Sequence, residues 1–181
     1  MIYGERIRLR AVEKDDLPLF VKWLNDPEVR QGILLHNPVS QTEEEGWYER
    51  MLARPADEHV MAIDVKEPPA DAVEERWKLI GSLAFDKIDW HVRAAEFGIL
   101  IGDKSYWNQG YGTESVRLLC QQGFNTLNLN RIFLHVFENN PRAIHAYEKA
   151  GFTLEGRERQ AEYKDGKFID VLRMSLLKSE V

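Results

Sequence analysis

The sequence lacks the features of a disulfide-stabilised, membrane-spanning or secreted protein. Cys120 is its one cysteine, so no intrachain disulfide can form, which fits a reducing compartment. No apolar run approaches the ~20 residues that a membrane-spanning helix needs. Residues 1–10 alternate apolar and charged side chains where a signal peptide would have an apolar segment. A chain of 181 residues buries about 70% of its unfolded surface without such aids. We therefore expect one cytoplasmic domain over residues 1–181 that has no membrane partner.

The sequence also lacks the positive charge of a protein that binds nucleic acid. It carries 24 Lys and Arg against 30 Asp and Glu, a net charge of −6, whereas a protein that coats phosphates is normally basic. Residues 1–90 hold 12 basic and 19 acidic side chains, but residues 91–181 hold 12 and 11. This asymmetry fits a solvated acidic surface, or a first half that faces cationic substrates while the second faces an anion. We predict no nucleic-acid partner.

Hydrophobic periodicity and turn signals predict a mixed α/β (α+β) fold with the element order β-α-α-β-β-β-α-β-α-β-β. The predicted strands are 7–11, 59–65, 78–90, 94–101 and 131–137, with two more around a turn at 164–167. The predicted helices begin at Asp15 or Asp16, at Ser40 or Thr42, at 113 (ending at 126) and at Asn140 (ending at Gly151). Between two strands, Lys66–Glu75 is rich in acids and proline, which predicts a solvated hairpin loop.

The segment SYWNQGYGTES, residues 105–115, lies between a predicted strand and a predicted helix. Gly110 and Gly112 let the backbone approach a ligand closely, and the N–H groups of the loop and the first helical turn converge there. This arrangement suits a phosphate or pyrophosphate, although a simple Gly-rich connection would look the same. A P-loop is excluded because Thr113, not Lys, follows Gly112. The third glycine of a dinucleotide-binding fingerprint is replaced by Ser115.

A second motif, NNPRAIHAYEKAGF, occupies residues 139–152. Asn140 is placed to cap a helix, and Ile144 and Tyr147 lie on one of its faces. Taken alone, these residues also fit a plain cap and a core-edge aromatic. Together with WNQGYG they resemble the two motifs of the GNAT superfamily of acetyl-coenzyme A-dependent N-acetyltransferases, and the element order matches too. The chain is most similar to the Rim-type ribosomal-protein N-terminal acetyltransferases and the bacterial spermidine/spermine acetyltransferases. Trp107 stands where the cofactor motif usually has Gln or Arg.

The resemblance implies a fold and a co-substrate. The GNAT fold has a mixed, mostly antiparallel sheet of about seven strands flanked by helices. Its fourth and fifth strands, here 94–101 and 131–137, splay apart to hold acetyl-coenzyme A. By resemblance, the residues expected to bind the coenzyme are Ile99, Leu100, Ile101, Trp107, Asn108, Gln109, Gly110, Tyr111, Gly112, Thr113, Asn140 and Ala143. No metal is implied.

The resemblance also implies two catalytic residues for direct transfer in a ternary complex. Glu96 lies fourteen residues before Gly110, where many family members place a catalytic Glu. It is expected to deprotonate the acceptor amine, directly or through a water molecule. Tyr147 matches the usual general acid of the family and is expected to protonate the leaving thiolate. His135 is expected to be structural, because it has no metal-ligand partner at a useful spacing.

The sequence leaves the acceptor open. The acidic first half favours a cationic amine, which includes polyamines, aminoglycosides, amino sugars on nucleotide carriers and protein N-termini. The spermidine acetyltransferases carry an aromatic and acidic segment after the first helix, whereas the comparable segment Ile33–Pro38 has no acid. Two other functions stay open: a non-catalytic coenzyme A-binding sensor on the same fold, and a nucleotide-binding protein unrelated to acyl transfer. A homodimer is expected by analogy with the family alone.

Overall fold

The computed structural model describes residues 1–67 and 76–181, which form a sheet of eight strands. The strands are β1 (Ile2–Tyr3), β2 (Ile7–Ala11), β3 (Met61–Glu67), β4 (Arg76–Asp89), β5 (Ala94–Ile101), β6 (Arg131–Phe137), β7 (Thr153–Lys164) and β8 (Lys167–Leu177). They lie in the order β1-β2-β3-β4-β5-β6-β8-β7. Every adjacent pair is antiparallel except β5–β6, which is parallel. The predicted mixed, mostly antiparallel sheet is therefore confirmed.

The sheet differs from the sequence prediction in one additional strand and in the bounds of β3 and β4. It has an additional strand, β1, because Ile2 pairs with Leu9 on β2. The strand predicted to end at residue 65 continues to Glu67, whose backbone pairs with Arg76 on β4. Lys66 and Glu67 of the predicted hairpin loop Lys66–Glu75 are therefore part of the strand, and residues 68–75 lie outside the described part of the chain.

The described residues contain five α-helices, with bounds α1 (Leu17–Leu24), α2 (Pro27–Arg30), α3 (Gln41–Leu52), α4 (Tyr111–Gln121) and α5 (Pro141–Ala150). A π-helical turn, residues 122–126, continues α4 to the predicted end at 126. The short α2 was not predicted, because four residues are too few to show a helical period. No helix within 1–67 and 76–181 is long and apolar enough to cross a membrane.

Capping residues set where these helices begin. Ser40 Oγ accepts from Glu43 N at 3.2 Å while the Glu43 carboxylate accepts from Ser40 N at 2.8 Å, a capping box that places the start at Ser40. Asn140 Oδ1 accepts from Ala143 N at 3.3 Å, and Gly151 ends α5 with φ 105°, as predicted. Asp16 occupies the N-cap position of α1, but its carboxylate binds Arg10 instead of the helix amides.

Two apolar clusters cover the two faces of the sheet. One packs α4 and α5 against the sheet around the fully buried Leu119, Ile132 and Leu134. The other packs α1 to α3 against the opposite face around Leu17 and Ala62. Burial of a large aliphatic side chain contributes about 1.5–3 kcal/mol, so these clusters fix the helices on the sheet.

The sheet opens between β5 and β6. The two strands pair over three positions, from Ala94↔Arg131 to Glu96↔Phe133, although β5 runs on to Ile101. A bulge in the neighbouring strand, where the register skips between Phe85 and Lys87 on β4, lies beside the point of divergence. Bulges bend a strand and increase its twist. The predicted splay is therefore present, and it leaves one edge of β5 without a strand partner.

Candidate active site

A cavity of about 1120 Å³ occupies the gap between β5 and β6. Its walls come from both strands, from the start of α4, from α5 and from the loop after α2. This volume exceeds that of a typical drug-sized pocket, so it suits an extended ligand together with a second molecule. Every residue that the sequence singled out for catalysis or coenzyme binding lines the cavity except Gln109.

Gln109 binds within its own loop through its side chain and meets the N-terminal segment through its backbone. Its side-chain Nε2 donates to Ser105 O at 2.5 Å, and its carbonyl accepts from Arg6 Nη1 at 3.1 Å. Arg6 also donates through Nε to Glu114 Oε2 at 2.8 Å. These contacts fix the Gly-rich loop from below and neutralise the carboxylate in the first turn of α4, which would otherwise repel an anion.

The loop before α4 has the backbone shape of an anion site. Asn108 and Gly110 have φ of 60° and 85°, which lie in the left-handed region. Where successive residues alternate between right-handed and left-handed backbone conformations, their N–H groups point to one side and can bind an anion. The first-turn N–H groups of α4, including those of Gly112 and Thr113, have no partner within an α-helix and add the positive end of its dipole. This end of the cavity therefore favours phosphate oxygens.

Arg142 supplies positive charge at the same end. Its guanidinium carbon lies 3.3 Å from the centre of the Trp107 ring, and the Trp107 Nε1 donates to Ile101 O at 2.7 Å. Loss of water around Arg142 lowers its pKa, and none of the described carboxylates lies within ion-pair distance of it. The charge of Glu28 acts on Arg142 from beyond ion-pair distance, and a stacked guanidinium without a direct carboxylate contact, beside a loop of free amides, fits the pyrophosphate of a nucleotide coenzyme. The sequence did not indicate this role for Arg142.

The open edge of β5 supplies the middle of the cavity. From Phe97 to Ile101 the backbone has no partner on the β6 side, and Gly98 has nothing within 4 Å of the place where a Cβ would stand. Unpaired strand groups are strong hydrogen-bonding sites. An amide-bearing arm fits along this edge, although the carbonyl of Ile101 is already engaged by Trp107.

Tyr147 lies on α5 at the inner wall of the cavity. Its ring packs on Phe97 and Phe152 at centroid distances of 5.9 and 6.2 Å. Burial raises the pKa of Tyr147 to about 12, so the hydroxyl stays protonated at neutral pH. This hydroxyl has no hydrogen-bond partner among the described residues, which leaves its proton free for a ligand.

Glu96 lies on the opposite side of the same gap. Its Oε1 is 2.7 Å from His135 Nδ1, and His135 Nε2 is 3.7 Å from Glu158 Oε1. His135, which was expected to be structural, therefore lines the cavity and contacts the predicted base. The alternation of side chains along β6 is the sequence signal that could have revealed this contact. Because Glu96 pairs with Phe133, the residue two positions on points to the same face.

Further carboxylates line the cavity, and Glu158 is joined to Glu96 through His135. Glu158 and Glu162, both on β7, line it together with Asp86. Glu162 has no hydrogen bond or ion pair within the residues that the structure describes. Along β5, Glu96 and Ile101 are five residues apart, or roughly 16 Å. The cavity therefore has an anion-binding end near Trp107 and an acidic end near Glu96.

Lys164 joins the last hairpin to the end of α2 and the loop after it. It lies at the end of β7, and its Nζ donates to the carbonyls of Arg30, Gln31 and Ile33 in the loop after α2. Burial lowers the pKa of Lys164, yet the three carbonyls satisfy its donors. The contact holds the loop against the last hairpin and shapes the cavity.

Comparison with known proteins identifies this fold and site. Residues 6–153 match the family described as acetyltransferase (GNAT) domain. An uncharacterized N-acetyltransferase p20 of Bacillus licheniformis is 33% identical over 99% of this chain and 97% of that protein. The spermidine N(1)-acetyltransferase of Vibrio cholerae is 29% identical over 98% of this chain and 96% of its own. A crystal structure of the spermidine N-acetyltransferase from that organism, in complex with CoA and spermine, superposes with a TM-score of 0.85 at 27% identity and covers 98% of each chain.

The chain belongs to the GNAT acetyltransferase family. It is an enzyme that transfers an acetyl group from acetyl-coenzyme A, its co-substrate, to an amine. The alternative of a non-catalytic sensor is not favoured, because the similar proteins are named as acetyltransferases. Within 1–67 and 76–181 there is no cluster of three or more His, Cys, Asp or Glu side chains that could hold a metal ion.

Proposed function

We propose that the protein, as one domain over residues 1–181, acetylates a linear polyamine of the spermidine class. The observation that carries this proposal is the acidic end of the cavity. Glu96 and Glu158 lie at this end, and Glu162, which lines the same cavity, has no partner among the described side chains. The free-energy cost of an unpaired carboxylate at a cavity wall falls when a cation binds to it, and a polyamine carries several ammonium groups.

Glu96 is the proposed base. An aliphatic amine with a pKa near 10.4 is only roughly 0.04% neutral at pH 7, so removal of its proton is a necessary step. Glu96 reaches the cavity from β5, next to the open space at Gly98, where the reacting nitrogen has room. The carboxylate accepts the ammonium proton directly or through a water molecule, and the freed lone pair then attacks the acetyl carbon.

Tyr147 is the proposed partner of the leaving sulfur, because its hydroxyl is protonated and unengaged. The N–H of Ile99 is the proposed donor to the carbonyl oxygen of the acetyl group. The other residues proposed to hold the coenzyme are Leu100, Ile101, Trp107, Asn108, Gly110, Tyr111, Gly112, Thr113, Asn140 and Ala143. Bound acetyl-coenzyme A supplies the activated acetyl thioester. Gln109 does not line the cavity, so we assign it to loop support through its contact with Arg6.

The charge of the site distinguishes a polyamine from an acceptor that carries a carboxylate. An amino acid would bring a carboxylate towards Glu158 and Glu162, and like charges at close range disfavour binding. Arg54 also lines the cavity, but its guanidinium is already bound to Glu58 and Asp86. The similarity to the spermidine acetyltransferase of Vibrio cholerae, in sequence and in structure over nearly the whole chain, supports the same choice.

The test is an acceptor panel read by release of free coenzyme A thiol. The panel holds spermidine, spermine, an aminoglycoside, L-amino acids and a peptide with a free N-terminus, with acetyl-coenzyme A binding measured separately by calorimetry. We expect the highest kcat/KM for spermidine or spermine. A higher kcat/KM for amino acids or the peptide would contradict the polyamine proposal, and tight coenzyme binding without thiol release from any amine would contradict catalysis.

A pair of variants tests whether Glu162 binds an ammonium group of the acceptor. Glu162→Gln should raise the KM for spermidine about tenfold, because a neutral amide loses the charged contact, while the KM for acetyl-coenzyme A stays the same. Glu49→Gln is the matched control, since Glu49 is exposed on α3 and does not line the cavity. An equal effect of the two variants would show general electrostatic attraction instead of a site for one ammonium group.

A further inference from the structure

His135 sits between two carboxylates that come from different strands. Its Nδ1 lies 2.7 Å from Glu96 Oε1, and its Nε2 lies 3.7 Å from Glu158 Oε1. Two other charged residues face this group across the sheet, Lys87 opposite Glu96 and Arg173 opposite His135. No other residue of the described chain forms a hydrogen bond with the Glu96 carboxylate.

The short contact fixes the chemistry of the imidazole. A carboxylate oxygen can only accept, so a distance of 2.7 Å requires a proton on His135 Nδ1. The side chains of Glu96 and His135 are each about one-third exposed, at 35% and 32%. A carboxylate with that much freedom would sample several rotamers without an anchor. The His135 ring also meets Phe133 edge-on at 6.0 Å, which limits its own rotation.

We infer that His135 is a positioning residue for the base, and the inference rests on the proposed function of Glu96. The Nδ1–H of His135 holds one carboxylate oxygen of Glu96. The other oxygen is then directed into the open space at Gly98, where the acceptor amine has to lose its proton. Glu158, 3.7 Å from Nε2, forms no hydrogen bond with the ring and pairs with it as an ion only when the imidazole carries both protons. His135 itself touches neither the acceptor nor the coenzyme in this arrangement.

The test uses three substitutions that separate the two ring nitrogens. His135→Asn keeps an N–H donor near the place of Nδ1, His135→Gln puts its donor near the place of Nε2, and His135→Ala removes both. We expect kcat to fall about tenfold to a hundredfold for the Gln and Ala variants and to stay within about threefold for the Asn variant. The KM for acetyl-coenzyme A should not change. The control is His91→Gln, on the exposed turn between β4 and β5.

A double-mutant cycle asks whether the effect passes through Glu96. In the Glu96→Gln background, His135→Ala should cost less than about twofold in kcat, because the carboxylate it positions is gone. Equal losses in both backgrounds, or equal losses for the Asn and Ala variants, would overturn the inference. If the wild-type protein acetylates spermidine and the His135 variants keep full kcat, the inference fails while the proposed function stands.

A second measurement does not depend on activity. Long-range ¹H–¹⁵N spectra report which imidazole nitrogens carry a proton, and the His135 signals are assigned by their loss in His135→Asn. We expect a protonated Nδ1 whose signal changes in Glu96→Gln. An unprotonated Nδ1 at neutral pH would overturn the inference even if no acceptor were turned over.

Discussion

Replacing Tyr147 by Phe removes one oxygen from the cavity and leaves the ring in place. The contacts with Phe97 and Phe152 are made by ring atoms, so the packing of α5 on β5 should persist. The lost group is a hydroxyl whose pKa burial raises to about 12. Complete transfer of its proton to a thiolate of conjugate pKa near 8.5 would be uphill by roughly 5 kcal/mol.

This cost indicates how the hydroxyl of Tyr147 acts. In the proposed role, it stabilises negative charge on the departing sulfur by donating a hydrogen bond, and protonation of the sulfur is completed from water. A hydrogen bond to a charged group contributes about 1.5–3 kcal/mol. The Phe variant should therefore have a kcat about 10-fold to 150-fold lower, with an unchanged KM for acetyl-coenzyme A.

The same substitution should not cost stability. In the free protein the hydroxyl has no partner among the described residues, so its removal should leave the free energy of unfolding unchanged or raise it by up to about 1 kcal/mol. Initial rates of thiol release and thermal unfolding of Tyr147→Phe measure both effects. Tyr163→Phe, on the exposed tip of the last hairpin, is the control. Full kcat in Tyr147→Phe, or a melting temperature lowered by several degrees, would refute the reasoning.

Three further predictions follow from other sites. Gly98→Leu should lower kcat/KM for the acceptor more than tenfold without lowering the melting temperature, because the side chain enters open space; unchanged kinetics would place the reacting amine elsewhere. The hydrogen bond from Arg131 lowers the pKa of Glu155 from 4.5 to about 2, so its contribution to stability is present above pH 4.5 and is lost as the pH falls towards 2. Urea unfolding of Glu155→Gln at pH 6 and pH 3 should show a weaker acid destabilisation than the wild type, by no more than about 1 kcal/mol because the pair is exposed. Burial raises the pKa of Cys120 to about 12, so a disulfide reagent should not label the native protein, and rapid labelling would contradict the core position of this thiol.

Local signals predicted the parts of the fold that depend on a few neighbouring residues. Helix α5 begins after Asn140 and ends before Gly151 as expected, because an N-cap and a left-handed glycine determine helix ends through contacts within one turn. The choice between Ser40 and Thr42 was not decided by spacing, since both have an acid three residues later. The structure resolves it through the hydrogen bonds of Ser40.

Contacts between distant segments were beyond such signals. Arg6 reaches Glu114 across 108 positions, and Lys164 reaches the loop after α2 across more than 130. The contact of His135 with Glu96 depends on strand register, which the sequence leaves open until the parallel pair is known. The resemblance to a family anticipated the splayed strands and the residues around the cavity, but not the roles of His135 and Arg142.

The three residue pairs between β5 and β6 have a thermodynamic consequence. They are the strand pairs that join the β1–β5 part of the sheet to the β6–β8 part. A coenzyme bound along the free edge of β5 would add hydrogen bonds at this junction. Ligand that binds only the folded state adds about 2.7 kcal/mol of stability at a hundred times its Kd. Coenzyme should therefore slow hydrogen exchange of the amides over 97–101 more than elsewhere in the sheet. The hydrogen bonds that hold the coenzyme for catalysis would then also stabilise the sheet.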